Sequence, residues 1–221
     1  MKKKIKKLNM LEKKNFSAKQ KRKVFISKKK IEEKILNIAV YLARKGEGAL
    51  FVIGDKVDYS ILVKQRVEKF NLFDSGADKL LKSIATIDGS VIIDKEGNVL
   101  AYGAMIKKTR PFVGYGTRHA AAFTASMKGN TSILCSEEEH KVKIFKNGRL
   151  IMQIDGLQKN VEKEIPKISS ILESLGAGVV GTIGVAALAP ALGIALIPGV
   201  IVFGAGYYAI KNLIKHARKL S

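Results

Sequence analysis

Tryptophan is absent from this 221-residue chain, and cysteine occurs once, as Cys135. A lone cysteine excludes an intrachain disulfide and any zinc or redox site built on a Cys-x-x-Cys pair. It lies in the apolar run Ser132-Ile133-Leu134-Cys135, which predicts a buried thiol acting as a small hydrophobe. Aromatic residues are only 7% of the chain against 47% hydrophobic, so the apolar content is aliphatic and unevenly placed. The N-terminal region lacks the apolar stretch of a secretory signal and offers only the short cluster Val24-Phe25-Ile26. The expectation is a chain retained inside the cell.

Acidic residues are also scarce, 19 against 40 Lys and Arg, for a formal net charge of +21. Much of that excess is a tail: residues 1–30 hold fourteen Lys or Arg and one acid, Glu12. Such a block reads as a solvated, partly disordered leader. It would also suit an anionic lipid surface, at about 1 kcal/mol per cation, or nucleic acid phosphates through counterion release. The leader lysines show no aromatic stacking pattern, which makes nucleic acid the weaker of the two.

Charge itself is missing from Ser174 to Ile210. One membrane span needs roughly 20 apolar residues, so this longer run, with Pro190 and Pro198 inside it, predicts an apolar helical hairpin in a membrane. Lys211, Lys215, Arg218 and Lys219 follow, as they do on a cytoplasmic side. Ala187, Ala191, Ala195 and Gly199 recur at four-residue spacing, a face on which helices approach closely in lipid. The alternative is an apolar hairpin buried in a soluble protein. Gly176-Ala177-Gly178-Val179-Val180-Gly181 matches the dinucleotide fingerprint formally. It follows a predicted helix instead of a strand and has no acid about twenty positions on, so it carries no weight.

Between these ends the pattern is that of an α/β protein, a mixed central β-sheet flanked by helices. Ile31, Ile35, Leu36, Ile38, Ala39 and Leu42 predict an amphipathic helix over 31–45, ended by Gly46 and Gly48. Strands are predicted at 49–53, 90–93, 99–105, 131–135, 142–146 and 149–154, and helices at 59–67, 77–85 and 117–127. The expected organisation is a basic leader at 1–30 and a core domain at 31–156. A connecting helix broken near Pro166 at 157–173, the apolar hairpin at 174–210 and a basic tail at 211–221 complete it.

Three short segments hold candidate chemistry. Gly114-Tyr115-Gly116-Thr117-Arg118-His119 places two glycines before a predicted helix. A helix N-terminus offers free N–H donors to phosphate, Thr117 would cap it, and Arg118 adds a bidentate donor. The plainer alternative is an ordinary capped loop. Asp88-Gly89 and Ser136-Glu137-Glu138-Glu139 end predicted elements, where carboxylates could hold a hard divalent cation or merely make solvated turns.

Together, Asp88-Gly89-Ser90, Gly116-Thr117-Arg118-His119-Ala120-Ala121-Ala122 and Ser136-Glu137-Glu138 resemble, in order and spacing, the D-G-A, G-T-R-H-R-A-A and S-E-E motifs of diadenylate cyclase domains. That resemblance implies a cyclase joining two ATP into cyclic di-AMP, with two copies of the chain meeting face to face. It implies that Asp88 is catalytic and binds a Mg or Mn ion with Glu138. Gly116, Thr117, Arg118 and His119 would hold phosphates. Gly89, Ser90, Ser136 and Glu137 would line the nucleotide, and Met105 or Ile106 would pack on the adenine. A cytoplasmic domain on the inner face of the cell membrane is expected, with a soluble cytoplasmic protein as the alternative. Two departures stand out: Ser90 replaces the usual Ala, and Ala120 replaces a second Arg, which removes a cation near the phosphates. The second departure keeps open a module of the same fold that binds ATP or cyclic di-AMP without turnover. A nucleic-acid-binding protein is the remoter rival.

Overall fold

The computed structural model describes residues 27–112, 114, 116–176 and 197–203. Ser27 caps the first helix, α1 (Lys28–Arg44), its hydroxyl accepting from the Lys30 amide. The helix therefore begins inside the segment expected to be leader. Strand β1 (Ala49–Ile53) is buried throughout. Its alternate residues face opposite ways, as a period of two requires. Phe51 and Ile53 enter a core with α1, while Leu50 and Val52 enter a second core on the other side.

The sheet has the order β2-β5-β4-β1-β6-β7-β8-β9, with β3 also on β5. Its strands are β2 (Tyr59–Ile61), β3 (Phe70–Asn71), β4 (Ser90–Ile93), β5 (Asn98–Ile106), β6 (Thr131–Ser136), β7 (Lys141–Lys146), β8 (Arg149–Asp155) and β9 (Val200–Val202). Among the described residues β1 and β4 are the parallel pair and the other pairings are antiparallel, so the sheet is mixed. Helices α1, α2 (Ala77–Ala85) and α4 (Val161–Gly176) supply residues to the first core. Helix α3 (Thr117–Ser126) covers the opposite face, with Ala122 and Ala125 on Leu134 and Phe145. The expected α/β architecture is what forms.

Three expectations are corrected. Residues 59–67 are not a helix: Tyr59–Ile61 pair with Ala104–Ile106 as a short edge strand, and an irregular segment follows. Ile61 and Leu62 remain exposed while Val63 and Val67 pack against the first core. Side-chain bonds hold the segment instead. Gln65 Nε2 donates to the carbonyls of Val63 and Tyr102, and the Tyr102 hydroxyl accepts from the Arg66 amide at 2.7 Å.

Pro166 does not break the last helix, which runs from Val161 to Gly176. A proline inside a helix costs about 3 kcal/mol. Burial of Val161, Ile165 and Ile168, each at most 1% exposed, offsets that cost. Ser169 Oγ donates to the Lys29 carbonyl and Lys29 Nζ to Ser170 Oγ, so this helix belongs to the main core and is no mere connector. The apolar run from Ser174 also departs from a helical hairpin at its far end, where Val200–Val202 pair with Ile154–Met152. Residues 177–196 and 204–210, like the leader up to 26 and the tail at 211–221, lie outside the described residues.

Candidate functional site

The register brings the three motifs to one end of the sheet. Phe51 opposes Val91 in the parallel pair, so the start of β1 and the start of β4 lie side by side. Ala49 opposes Cys135 in the antiparallel pair, which sets the end of β6 beside them. The N-terminus of α3 lies over this corner. A cleft of about 470 Å³ results, lined by Asp88, Gly116, Thr117, Arg118, His119, Leu134, Cys135, Ser136, Glu137 and Glu138.

Arg118 ties the motifs together. Its Nη2 lies 3.7 Å from Asp88 Oδ1 and its Nη1 donates to Glu137 Oε2 at 3.3 Å. Asp88 is 89% exposed, so this carboxylate faces solvent at the mouth of the cleft instead of being spent in the core. Gly89 follows at φ 106, and a Cβ there would lie 2.8 Å from the Gly103 backbone. Only glycine fits that approach.

The helix start differs from expectation in one respect. Gly116, not Thr117, is the N-cap, and no side chain caps it. Thr117 is the first helical residue. The Gly116 carbonyl accepts from the His119 and Ala120 amides, so the N–H groups at the open start of the helix are those of Thr117 and Arg118, with the positive end of the helix dipole behind them. Ser136 Oγ accepts from the Glu139 amide at 3.4 Å and shapes the loop carrying Glu137 and Glu138.

Not every candidate reaches the cleft. Ser90 is 2% exposed and its hydroxyl donates to the Ala104 carbonyl at 2.7 Å, joining β4 to β5. Met105 is exposed and Ile106 buried, on opposite faces of β5. Neither is among the lining residues. Cys135 lines the cleft but stays buried, its Sγ donating to the Ala39 carbonyl, and burial pushes the thiol pKa far up despite the Arg118 charge. A structural thiol is what the sequence predicted.

Two residues of the site were missed. A Cβ on Gly48 would collide with Arg118 Nη1 and come within 2.8 Å of Glu137 Oε2. This glycine makes room for the guanidinium as well as ending α1. Lys143 is 1% exposed, with Nζ 3.0 Å from His119 Nε2 and an ion pair to Glu139. The signal was the alternation in β7, which puts a lysine on the inward face with Phe145. The imidazole of His119 is pushed down to about 4, by burial first and then by the Lys143 charge, with Glu139 opposing. It is neutral at pH 7. Glu139 is held below the usual carboxylate range: burial works against its charge, and the hydrogen bonds and charges of Lys143 and Lys141 outweigh burial.

A helix start without a side-chain cap, a guanidinium and clustered carboxylates meet at the ends of the central strands β4, β1 and β6 of an α/β sheet. Residues 38–150, just over half of the chain, match the family described as DisA bacterial checkpoint controller nucleotide-binding, and the chain belongs to that family. It is 26% identical over 142 residues to a diadenylate cyclase of Methanocaldococcus jannaschii, covering 58% of this chain and 46% of that protein. It is 27% identical over 139 residues to a diadenylate cyclase of Haloferax volcanii, covering 55% and 51%. The chain thus spans about half the length of the curated relatives it matches. Among solved structures, DacA from Staphylococcus aureus aligns at 16% identity and a TM-score of 0.43, over 64% of this chain and 94% of that one. A hypothetical membrane spanning protein from Bacillus cereus aligns at 23% identity and a TM-score of 0.40, over 52% and 59%.

Proposed function

We propose that this chain condenses two ATP molecules into cyclic di-AMP with release of two pyrophosphates. The observation that carries the reading is the convergence of Asp88, Thr117-Arg118-His119 and Ser136-Glu137-Glu138 on one cleft, in a member of a nucleotide-binding family whose archaeal relatives are named diadenylate cyclases. In the reaction each ribose 3′-oxygen attacks the α-phosphate of the other nucleotide and pyrophosphate leaves. Such chemistry needs chiefly alignment and charge neutralisation. The Thr117 and Arg118 N–H groups at the start of α3 and the Arg118 guanidinium receive phosphate oxygens, Arg118 trading its contacts with Asp88 and Glu137 for the ligand. Asp88, freed and exposed, faces the 3′-hydroxyl. One cleft holds one ATP, so two copies meet face to face during turnover.

The donor set fits a divalent cation of the Mg or Mn kind. Among the described residues no group of three His, Cys, Asp or Glu side chains is arranged to hold an ion alone. Asp88 and Glu138 offer oxygen donors only, which suits a hard cation that completes its shell with nucleotide phosphate and water. Such an ion would neutralise phosphate charge.

We infer further that the protein works at the inner face of a membrane, held by the leader and the charge-free run. Among the described residues no helix is long and apolar enough to cross a bilayer. Helix α4 runs to Gly176, Ile197 is buried in the first core and Val200–Val202 belong to the sheet, so residues 177–196 are the segment proposed to meet lipid. Recovery of the full chain in the soluble fraction without detergent would refute this.

The binding-only alternative is favoured by one feature, the alanine at 120 where the motif has a second Arg. Incubating the protein with labelled ATP and either metal, then resolving the products, separates the two. Cyclic di-AMP supports the cyclase, and bound but unconverted ATP supports the module.

A further inference from the structure

Lys143 lies in β7 between Val142 and Ile144, on the same face as Phe145 and beneath α3, with a side chain only 1% exposed. Burying an ammonium is tolerated only where strong acceptors surround it. Here they are the Glu139 carboxylate and, at 3.0 Å, Nε2 of His119. An ammonium has no lone pair to offer, so Lys143 donates and Nε2 accepts. An imidazole accepting at Nε2 carries its proton on Nδ1. His119 belongs to the second motif and lines the cleft, and Glu139 belongs to the loop that bears the third. Lys143 therefore ties the second motif to the third from beneath, as Arg118 ties them from within the cleft.

We propose that Lys143 is a positioning residue of the nucleotide cleft, fixing His119 as the Nδ1–H tautomer so that the ring acts as a hydrogen-bond donor to a nucleotide phosphate oxygen. The inference rests on the nucleotide reading of the cleft for its consequence but not for the tautomer itself. It also gives the strand residue a task in this chain, where the motif cation next to His119 is replaced by Ala120. A neutral donor oriented from behind supplies a phosphate contact without a second guanidinium.

The test uses the full chain labelled with ¹⁵N at histidine, since imidazole nitrogen shifts distinguish a protonated from an accepting nitrogen. In the wild type, His119 is expected to show a protonated Nδ1 and an accepting Nε2. A protonated Nε2 overturns the proposal with no mutation needed. In Lys143→Met, with the fold checked by circular dichroism, the tautomers should mix and ATP affinity by calorimetry should fall about tenfold, the usual loss for one hydrogen bond of this kind. ATP affinity within twofold of wild type, or an unchanged tautomer, overturns it. Should Lys143→Met fail to fold, Lys143→Arg keeps a cationic donor and is expected to retain both tautomer and affinity. Loss of both in a folded Lys143→Arg would overturn the proposal. A wild type with the expected tautomer but no ATP binding removes the nucleotide reading, and with it the positioning role, while leaving the hydrogen bond in place.

Discussion

Arg118 Nη2 stands 3.7 Å from Asp88 Oδ1, although the two residues sit on different elements and are joined only through the folding of the sheet. The pair is exposed, and exposed pairs contribute about 0–1 kcal/mol to stability. Its value is positional: it holds the guanidinium and the carboxylate at the mouth of one cleft.

Arg118→Ala should therefore weaken ATP binding by tenfold or more, through loss of a bidentate phosphate contact worth about 1.5–3 kcal/mol, with little change in thermal stability. Calorimetry and a melting curve on the same sample check both halves.

Gly48→Ala tests the room beneath that guanidinium. The added methyl would collide with the far end of a flexible side chain and not with backbone, so the fold should survive while Arg118 is displaced. ATP affinity should drop by about an order of magnitude, as for loss of one charge-assisted hydrogen bond. An unchanged affinity would mean that Arg118 finds its phosphate from another rotamer.

Ser90→Ala restores the residue usual in the motif. Because the hydroxyl donates to Ala104 in the β4–β5 pair, the change should lower stability by about 1 kcal/mol and leave nucleotide affinity within twofold. Denaturant midpoints and calorimetry report the two effects separately.

His119 gives a pH signature. Its folded pKa, about 4, lies below the ordinary histidine value of 6.5, so the folded state binds fewer protons than the unfolded chain between those values. Its contribution is present above pH 6.5 and is lost as pH falls toward 4. The wild type should lose more stability across that window than His119→Gln, measured by urea unfolding at each pH. Equal losses would place the histidine in an ordinary solvated setting.

Much of this site was legible in order and spacing. Asp88, Arg118, Ser136 and Glu138 come from three segments that the sequence singled out, and the apolar runs at 49–53, 90–93 and 131–135 sufficed to predict the strands that bring them together. What was not legible depended on neighbours in space. Residues 59–67 were predicted as a helix, but pairing of Tyr59–Ile61 with β5 and a Gln65–Tyr102 exchange of hydrogen bonds fix them as an irregular edge. Pro166 looked like a break because the burial of Ile165 and Ile168 against α1 cannot be seen locally. Lys143 read as one more lysine in a basic chain until the alternation of β7 turned it inward, and Gly48 read only as a helix stop. Met105 and Ile106 were offered as alternatives for the adenine, and they lie on opposite faces of β5, as adjacent strand residues do.

On the proposed function, the cleft performs the cyclisation and Asp88 is required for it. The most direct measurement follows labelled ATP with magnesium or manganese in parallel reactions of the wild type and Asp88→Asn, each first shown to be folded. The account predicts cyclic di-AMP with two pyrophosphates per product from the wild type and none from Asp88→Asn. Intact ATP recovered from folded wild type with both metals, or an Asp88→Asn rate within a few-fold of wild type, would contradict it.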